Sequence, residues 1–375
     1  MYYVTQFEAD PTKSFTQTAF ANIKALQTQQ VNFEIRPLNF VLNWQNRPSW
    51  FSDDNRDYFT KTTPVQDPIA LVHLQISDLL KVPYTSRTHA IGLTAIESSQ
   101  IARWVCQGLN ESYRGMIVPS EHCKTALENS GLTIPVRVVP HALPDMWRQS
   151  YPPLPEKDPN VYVFGFVGNW NSRKNPKALL DAYLKAFPET SENTALLIKT
   201  YNAGDIQGYI RQSTGQDRPD IWIYDEAWTE QQMLWAFSMI DCYVSPHRGE
   251  GFGLTLAQNA ALGKPSIFTN YSAPTEWLGE GHYKLPFSLE KVSETLNGSQ
   301  DHKFERLQDA SIEWADIAVS DVAYALQRVA EERPQSGFSE DSLAEFRSKL
   351  SWESVGEVFT ASIEDIIDRK LEYLP

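Results

Sequence analysis

Two stretches of the chain gather residues able to handle an anionic ligand. The first is Gly168-Asn-Trp-Asn-Ser-Arg173-Lys174-Asn-Pro176. Arginine can hold phosphate oxygens through paired N–H groups, and lysine adds a mobile positive charge. The second is Ser245-Pro-His-Arg-Gly-Glu250-Gly251-Phe252-Gly253-Leu254-Thr255-Leu-Ala-Gln258. Gly249, Gly251 and Gly253 let the backbone turn sharply and approach a ligand closely. A helix opening at Leu254 would offer the N–H groups of Leu254 and Thr255 to a phosphate. Glu250 presents a carboxylate at the rim, and Gln258, about two helical turns on, an amide that can reach hydroxyl groups. The plain alternatives are an exposed basic turn and a glycine-rich packing turn. A dinucleotide fingerprint is excluded, because glycine would have to stand where Leu254 or Leu256 does, and the turn comes late in the domain.

Chemistry at these loops needs strands that end beneath them. Residues 161–167, Val-Tyr-Val-Phe-Gly-Phe-Val, have the length and composition of a buried strand. Residues 176–187 follow as a helix, with Pro176 in the first turn and Leu179, Leu180, Tyr183, Ala186 and Phe187 on one stripe. Further strands are read at 195–201, 221–224, 241–245 and 265–269, with a helix at 254–262. Another helix opens at Thr229, which has the capping-box spacing to Gln232, and carries Met233, Phe237 and Ile240 as its stripe. This alternation predicts parallel βαβ units in a doubly wound sheet. Such sheets bind ligands beyond the C-terminal strand ends, where both loops fall.

The first 150 residues alternate less regularly. Short strands are read at 69–74, 89–94, 115–119 and 136–140, a weaker one at 32–36, and a helix at 120–130. Four prolines within 151–160 mark a linker. Residues 339–367 read as an amphipathic helical stretch. The chain therefore divides into a Rossmann-like domain at 1–150, a second at 151–337 and closing helices at 338–375 that cross back to the first.

The chain has 375 residues and a net charge of −14, which argues against general binding of nucleic acid or anionic membrane. Cys106, Cys123 and Cys242 lack metal-ligand spacing and read as buried thiols in a reducing compartment. Neither a signal peptide nor a spanning apolar run is visible, so a cytoplasmic location is expected.

At the two loops the sequence resembles the retaining glycosyltransferases of family 4, which have the GT-B fold: two Rossmann-like domains facing across a cleft, with a C-terminal helix closing the structure. The likeness covers roughly 90–280 and is carried by Phe166-Val-Gly168-Asn-Trp-Asn-Ser-Arg173-Lys174-Asn-Pro176, Leu196-Leu-Ile-Lys-Thr-Tyr-Asn202, Asp241-Cys-Tyr-Val-Ser-Pro-His-Arg-Gly-Glu250-Gly-Phe-Gly-Leu254 and Ala261-Leu-Gly-Lys-Pro-Ser-Ile-Phe-Thr-Asn270. Val118-Pro-Ser-Glu-His-Cys-Lys-Thr-Ala126, Val138-Val-Pro-His-Ala142 and Ile91-Gly-Leu-Thr-Ala-Ile-Glu97 add to it in the first half.

The resemblance implies that Arg173 and Lys174 bind the donor diphosphate, with the backbone of Leu254 and Thr255, while Glu250 faces the donor sugar. Gly168, Gly251, Phe252 and Gly253 would complete the donor site. The family's second motif acid is Gln258 here, placed to meet ribose hydroxyls. Asn169 stands where an arginine is usual, and Asp10-Pro-Thr-Lys-Ser-Phe-Thr16 replaces a glycine-rich loop. The implied reaction is metal-independent transfer with retention, from a UDP- or GDP-type sugar used as co-substrate, to a glycan or glycolipid acceptor. Membrane association is implied only by analogy. Two other readings are a transferase acting on modified DNA bases and a non-catalytic nucleotide-sugar-binding partner. Trp170 and Trp228 are read mainly as packing, His73 and His89 mainly as structural, and His247 as either backbone support or ligand contact.

Overall fold

The computed structural model describes residues 1–6, 13–38, 69–82, 89–152, 154–201, 203–292, 312–368 and 370–371. They form two compact units. Of the described residues, those up to Asp145, Ile312 and those from Arg347 onward belong to the first, and those of 146–292 and Glu313–Phe346 to the second.

In the first unit, β1 (Tyr2–Thr5), β2 (Glu34–Pro37), β3 (Ile69–His73), β4 (His89–Leu93), β5 (Gly115–Val118) and β6 (Val136–Val138) make a parallel sheet. Its order is β2-β1-β3-β4-β5-β6. Its central strands are buried on both faces, hence their continuous apolar sequence. Side chains alternate between faces: Tyr3, Leu71 and Ile91 join one core cluster, Tyr2, Val72 and Ala90 the other. Helix α1 (Ser14–Thr28) covers the first face, and α2 (Ile76–Leu79), α3 (Arg103–Ser112) and α4 (Glu121–Asn129) the second.

The second unit begins with the linker, which forms neither helix nor strand among its described residues. Next come β7 (Tyr162–Val167), α5 (Pro176–Ala186), β8 (Thr194–Thr200), α6 (Ile206–Thr214), β9 (Ile221–Asp225) and α7 (Glu230–Met239). They are followed by β10 (Cys242–Ser245), α8 (Leu254–Ala261), β11 (Ser266–Thr269) and β12 (Tyr283–Leu285). The parallel sheet runs β12-β11-β10-β7-β8-β9, the order of the dinucleotide-binding folds. A small antiparallel pair, β13 (Ser288–Lys291) and β14 (Glu313–Asp316), precedes α9 (Val319–Glu332), which packs with α5 on one sheet face.

Local rules explain most element boundaries. Asn175 takes a left-handed conformation (φ 57°) that asparagine tolerates, and Pro176 then opens α5. The Thr229–Gln232 capping box forms as its spacing predicts. Along α7, Leu234, Ala236, Phe237 and Met239 are buried while Met233 is half-buried, so the apolar face is shifted from the expected stripe. At the far end of the helix, burial drags the Lys264 amine down to about 7, yet its three donors still reach the carbonyls of Phe237, Ser238 and Ile240.

The helical stretch read at 339–367 is two helices, α10 (Glu340–Lys349) and α11 (Trp352–Ile367). Leu350 is buried at the break, and Ser351 caps the second helix by accepting from Ser354 N–H at 3.1 Å. Helix α11 lies on α1, and Gly356 permits the approach because a Cβ there would strike Ala25 O. Gly165 plays the same part in β7, where a Cβ would overlap Ile240. Gly165→Ala is expected to destabilise the second unit by about 1–3 kcal/mol through overpacking. Ile240→Ala in the same chain should recover part of that loss in denaturant melts; an unrecovered double variant contradicts the packing account.

Candidate functional site

Sheet order decides where a ligand can sit. β7 lies between β10 and β8, so the winding reverses between β7 and β10, and ligands of such sheets bind beyond those C-terminal ends. Loop 168–175 leaves β7 and loop 246–253 leaves β10. The loops are joined directly: Arg248 N–H donates to Arg173 O at 2.7 Å, and the Arg173 guanidinium donates to Gly249 O at 2.8 Å. The Tyr243 hydroxyl lies 2.8 Å from Val167 O and 2.9 Å from the Thr255 hydroxyl, linking the end of β7 to the first turn of α8.

The charged residues meet on one carboxylate. Lys174 Nζ is 2.5 Å from Glu250 Oε1, and Arg173 Nη1 is 3.4 Å from Oε2. Glu250 is only 5% exposed. Burial alone would raise its pKa, but Lys174 and Arg173 outweigh burial and hold it at about 2. It is therefore an anion across the neutral range. Its backbone is pinned as well, Glu250 N–H donating to Ser272 Oγ at 2.9 Å and Ala273 N–H to Glu250 O at 3.2 Å.

His247 supports the backbone of this loop, one of its two sequence readings. Fully buried, it sits with Nε2 3.2 Å from Tyr271 O and Nδ1 3.1 Å from the Ser245 hydroxyl. A neutral ring can donate from Nε2–H to the carbonyl and accept at Nδ1 from the serine hydroxyl, and Nδ1 lies equally near Ser245 O, at 3.1 Å. Burial lowers its pKa to about 4, against an opposing pull from Glu250, so the ring is neutral.

Ser272 holds Glu250 from an unusual backbone position, φ 63° and ψ −164°, a region close to exclusive to glycine. Ser272→Ala keeps the strain and loses the hydroxyl, so it should cost about 1 kcal/mol. Ser272→Gly loses the same hydroxyl but frees the backbone, and should melt higher than the alanine variant. An alanine variant that melts as high as wild type contradicts this.

Helix α8 begins at Leu254 as expected, and Gly253 before it has φ 84°. A Cβ on Gly253 would also press on Pro274 at 3.1 Å, so both conformation and space demand glycine. Gly168 N–H is committed to Lys199 O at 3.1 Å. Phe252 packs beside Trp277, their centroids 5.8 Å apart. The Gln258 side chain, 8% exposed, makes no hydrogen bond among the described residues. Among the buried side-chain atoms without a hydrogen-bond partner, Ser172 Oγ and Asn175 Nδ2 lie in the loop after β7, Thr200 Oγ1 ends β8 and Thr269 Oγ1 ends β11.

Trp170 and Trp228 pack against the protein, Trp170 half-buried on the core and Trp228 at 5% exposure. In the first unit, buried His73 hydrogen-bonds the Tyr3 hydroxyl at 2.9 Å and stacks on Phe15; half-buried His89 begins β4. Of the Asp10–Thr16 segment, residues 10–12 lie outside the described residues. Sequence reasoning missed Tyr243 and Ser272, whose roles depend on partners far along the chain or on a backbone angle that residue type does not reveal. Among the described residues no group of three or more His, Cys, Asp or Glu could hold a metal ion, and no helix is long and apolar enough to cross a membrane.

Solved structures share this fold over the whole chain. HepE from Anabaena, in complex with UDP and glucose, superposes with a TM-score of 0.65 at 10% identity, covering 97% of this chain and 100% of HepE. The chain has the GT-B glycosyltransferase fold. A second GT-B structure, OtsA without ligand, gives a TM-score of 0.61 at 12% identity, with 100% of both chains covered. A point mutant of TarM from S. aureus, complexed with fondaparinux, α-GlcNAc-glycerol and UDP, gives 0.52 at 11% identity over 78% of this chain and 55% of TarM. Within the GT-B chain, residues 161–296 match the family model Glycosyl transferases group 1. That segment contains both loops, Glu250 and Ser272. No curated protein sequence matches the chain.

Proposed function

We propose that the chain is a retaining glycosyltransferase that moves a sugar from a nucleotide-diphosphate donor to a glycan or glycolipid-type acceptor. The observation that carries this is the pairing of Arg173 and Lys174 with Glu250, in the loop that leads into α8 at the sheet switch point, inside the matched segment. As the bond from anomeric carbon to diphosphate breaks, negative charge grows on the leaving phosphate. Arg173, Lys174 and the N–H groups of Leu254 and Thr255 stabilise that charge from fixed positions. Glu250 orients the sugar through its hydroxyls, Gln258 meets the ribose, and Gly168, Gly251, Phe252 and Gly253 shape the pocket. The leaving phosphate takes the proton of the acceptor hydroxyl, which attacks from the same face and so retains the anomeric configuration. The cations do the charge work, so the reaction proceeds without a metal. HepE has been solved with UDP-glucose, which makes a UDP-sugar the first donor to try.

Thermal-shift measurements with UDP, GDP, ADP and their sugar conjugates test the donor, since a ligand of the folded state raises its melting temperature. A shift with one base, abolished in Arg173→Ala/Lys174→Ala, supports the site; no shift with any sinks it. The anomeric configuration of the product, read by NMR, tests retention. Gln258 favours a second reading, a non-catalytic nucleotide-sugar-binding partner, because an amide holds ribose hydroxyls less strongly than a carboxylate. Donor turnover that disappears in Glu250→Ala excludes that reading.

A further inference from the structure

The arrangement of Glu250 raises a difficulty that the donor-site reading alone does not resolve. Both cations offered for the diphosphate are already held by one buried carboxylate, Lys174 at 2.5 Å and Arg173 at 3.4 Å. The side chains of Arg173 and Glu250 are 13% and 6% exposed, so this is a shielded ion triad and not a surface pair. Arg173 is further anchored on Gly249 O, and the Glu250 backbone is fixed by Ser272 and Ala273. With its backbone fixed, Glu250 could leave the cations only by side-chain rotation.

We propose that Glu250 is an internal competitor for the diphosphate pocket, occupying the two cations when the pocket is empty and returning to them when only a bare nucleoside diphosphate remains. The inference rests on the donor-site reading above. A diphosphate entering the pocket must displace an anion from Lys174 and Arg173, then lie close to that anion in a shielded place. A sugar nucleotide compensates, because the sugar hydroxyls donate to the displaced carboxylate and hold it aside. Once the sugar has been transferred, the nucleoside diphosphate has nothing to offer Glu250. The carboxylate then competes for the cations again, which favours product release and selects sugar nucleotide over bare nucleotide. A residue that served only as a sugar contact would still repel the diphosphate, so Glu250→Asp, which keeps that charge, would then bind bare nucleotide no more tightly than wild type.

The test is calorimetric titration of the full chain with UDP, GDP, ADP, UDP-glucose and GDP-mannose, in wild type, Glu250→Gln and Lys174→Ala. Glu250→Gln is expected to bind the bare nucleotide roughly 10-fold more tightly than wild type, by loss of a competing charge-assisted contact. Its affinity for the matching sugar nucleotide should gain less or fall, so the preference for donor over product narrows. If Glu250→Gln does not fold, Glu250→Asp serves instead: its shorter carboxylate cannot reach both cations, and bare nucleotide should again bind more tightly. A nucleotide that binds wild type, is lost in Lys174→Ala and binds the Glu250 variants no better overturns the proposal and leaves the donor site standing. Absence of nucleotide binding in wild type and variants overturns both.

Discussion

Replacing Lys174 by alanine is expected to lower sugar transfer by roughly 100- to 1,000-fold, the loss typical when a preorganised partner of a developing anion is removed. Arg173→Ala should be of similar severity, because both cations act on the same leaving group and both rest on the same carboxylate. The loss should fall on kcat as well as on donor affinity, since the charge being stabilised is greater in the transition state than in the bound donor. Lys177→Ala is the control: three residues on, it faces solvent and pairs with Asp181 at 2.7 Å. Steady-state kinetics with the donor identified by thermal shift makes the comparison. Lys174→Ala turning over at the wild-type rate would remove the leaving-group role from this loop.

The second large effect is on stability in acid. His73 and His247 are buried and neutral, with pKa values brought down by burial to about 3 and about 4, His141 adding to the shift at His73. Unfolded histidine titrates near 6.5, so below that pH the unfolded chain binds protons the folded chain refuses. Stability is therefore complete above about pH 6.5 and declines as pH falls toward 4. At pH 5 the two histidines together withhold about 4 kcal/mol relative to pH 7. Geometry is compatible: His73 Nδ1 lies 2.9 Å from the Tyr3 hydroxyl, a group able to donate to a neutral imidazole, and that hydroxyl also receives Asn22 Nδ2–H at 3.1 Å. One of these two histidines lies in each unit, beside His141 and His282, which burial likewise brings down to about 4 and which add to the loss, so the denaturant midpoint of each unit should fall between pH 7 and pH 5. A midpoint that stays put for either unit counts against the buried-neutral assignment of its histidine.

What the sequence disclosed and what it withheld follow from the range of the interactions. The strands and turns of the second unit were legible because buried parallel strands are uninterrupted apolar runs and because Pro176 and the Thr229–Gln232 pair act within a few residues. The strand at 34–37 was only faintly visible, since Glu34, Arg36 and Pro37 break the apolar run and only Ile35 is buried. β1 and α1 were not read at all: β1 has four residues, and α1 buries Thr16, Thr18 and Asn22 along with its apolar side chains, which blurs the stripe. At the site, residue types announced Arg173, Lys174 and Glu250 as participants, but their mutual pairing depends on two loops more than seventy positions apart. Ser272 announced nothing.

The return of α11 to the first unit has a consequence for biosynthesis. The segments of the second unit, which reach Phe346, leave the ribosome ahead of α11, the helix that covers α1. The face of α1 bearing Ala25, Thr28 and Gln29 stays bare until α11 emerges. Domains commonly mature in N-to-C order as they are synthesised; here the half made first is the half finished last. A chain stopped after Phe346 would therefore present a finished second unit attached to an adhesive, half-built first one, a natural client for a chaperone.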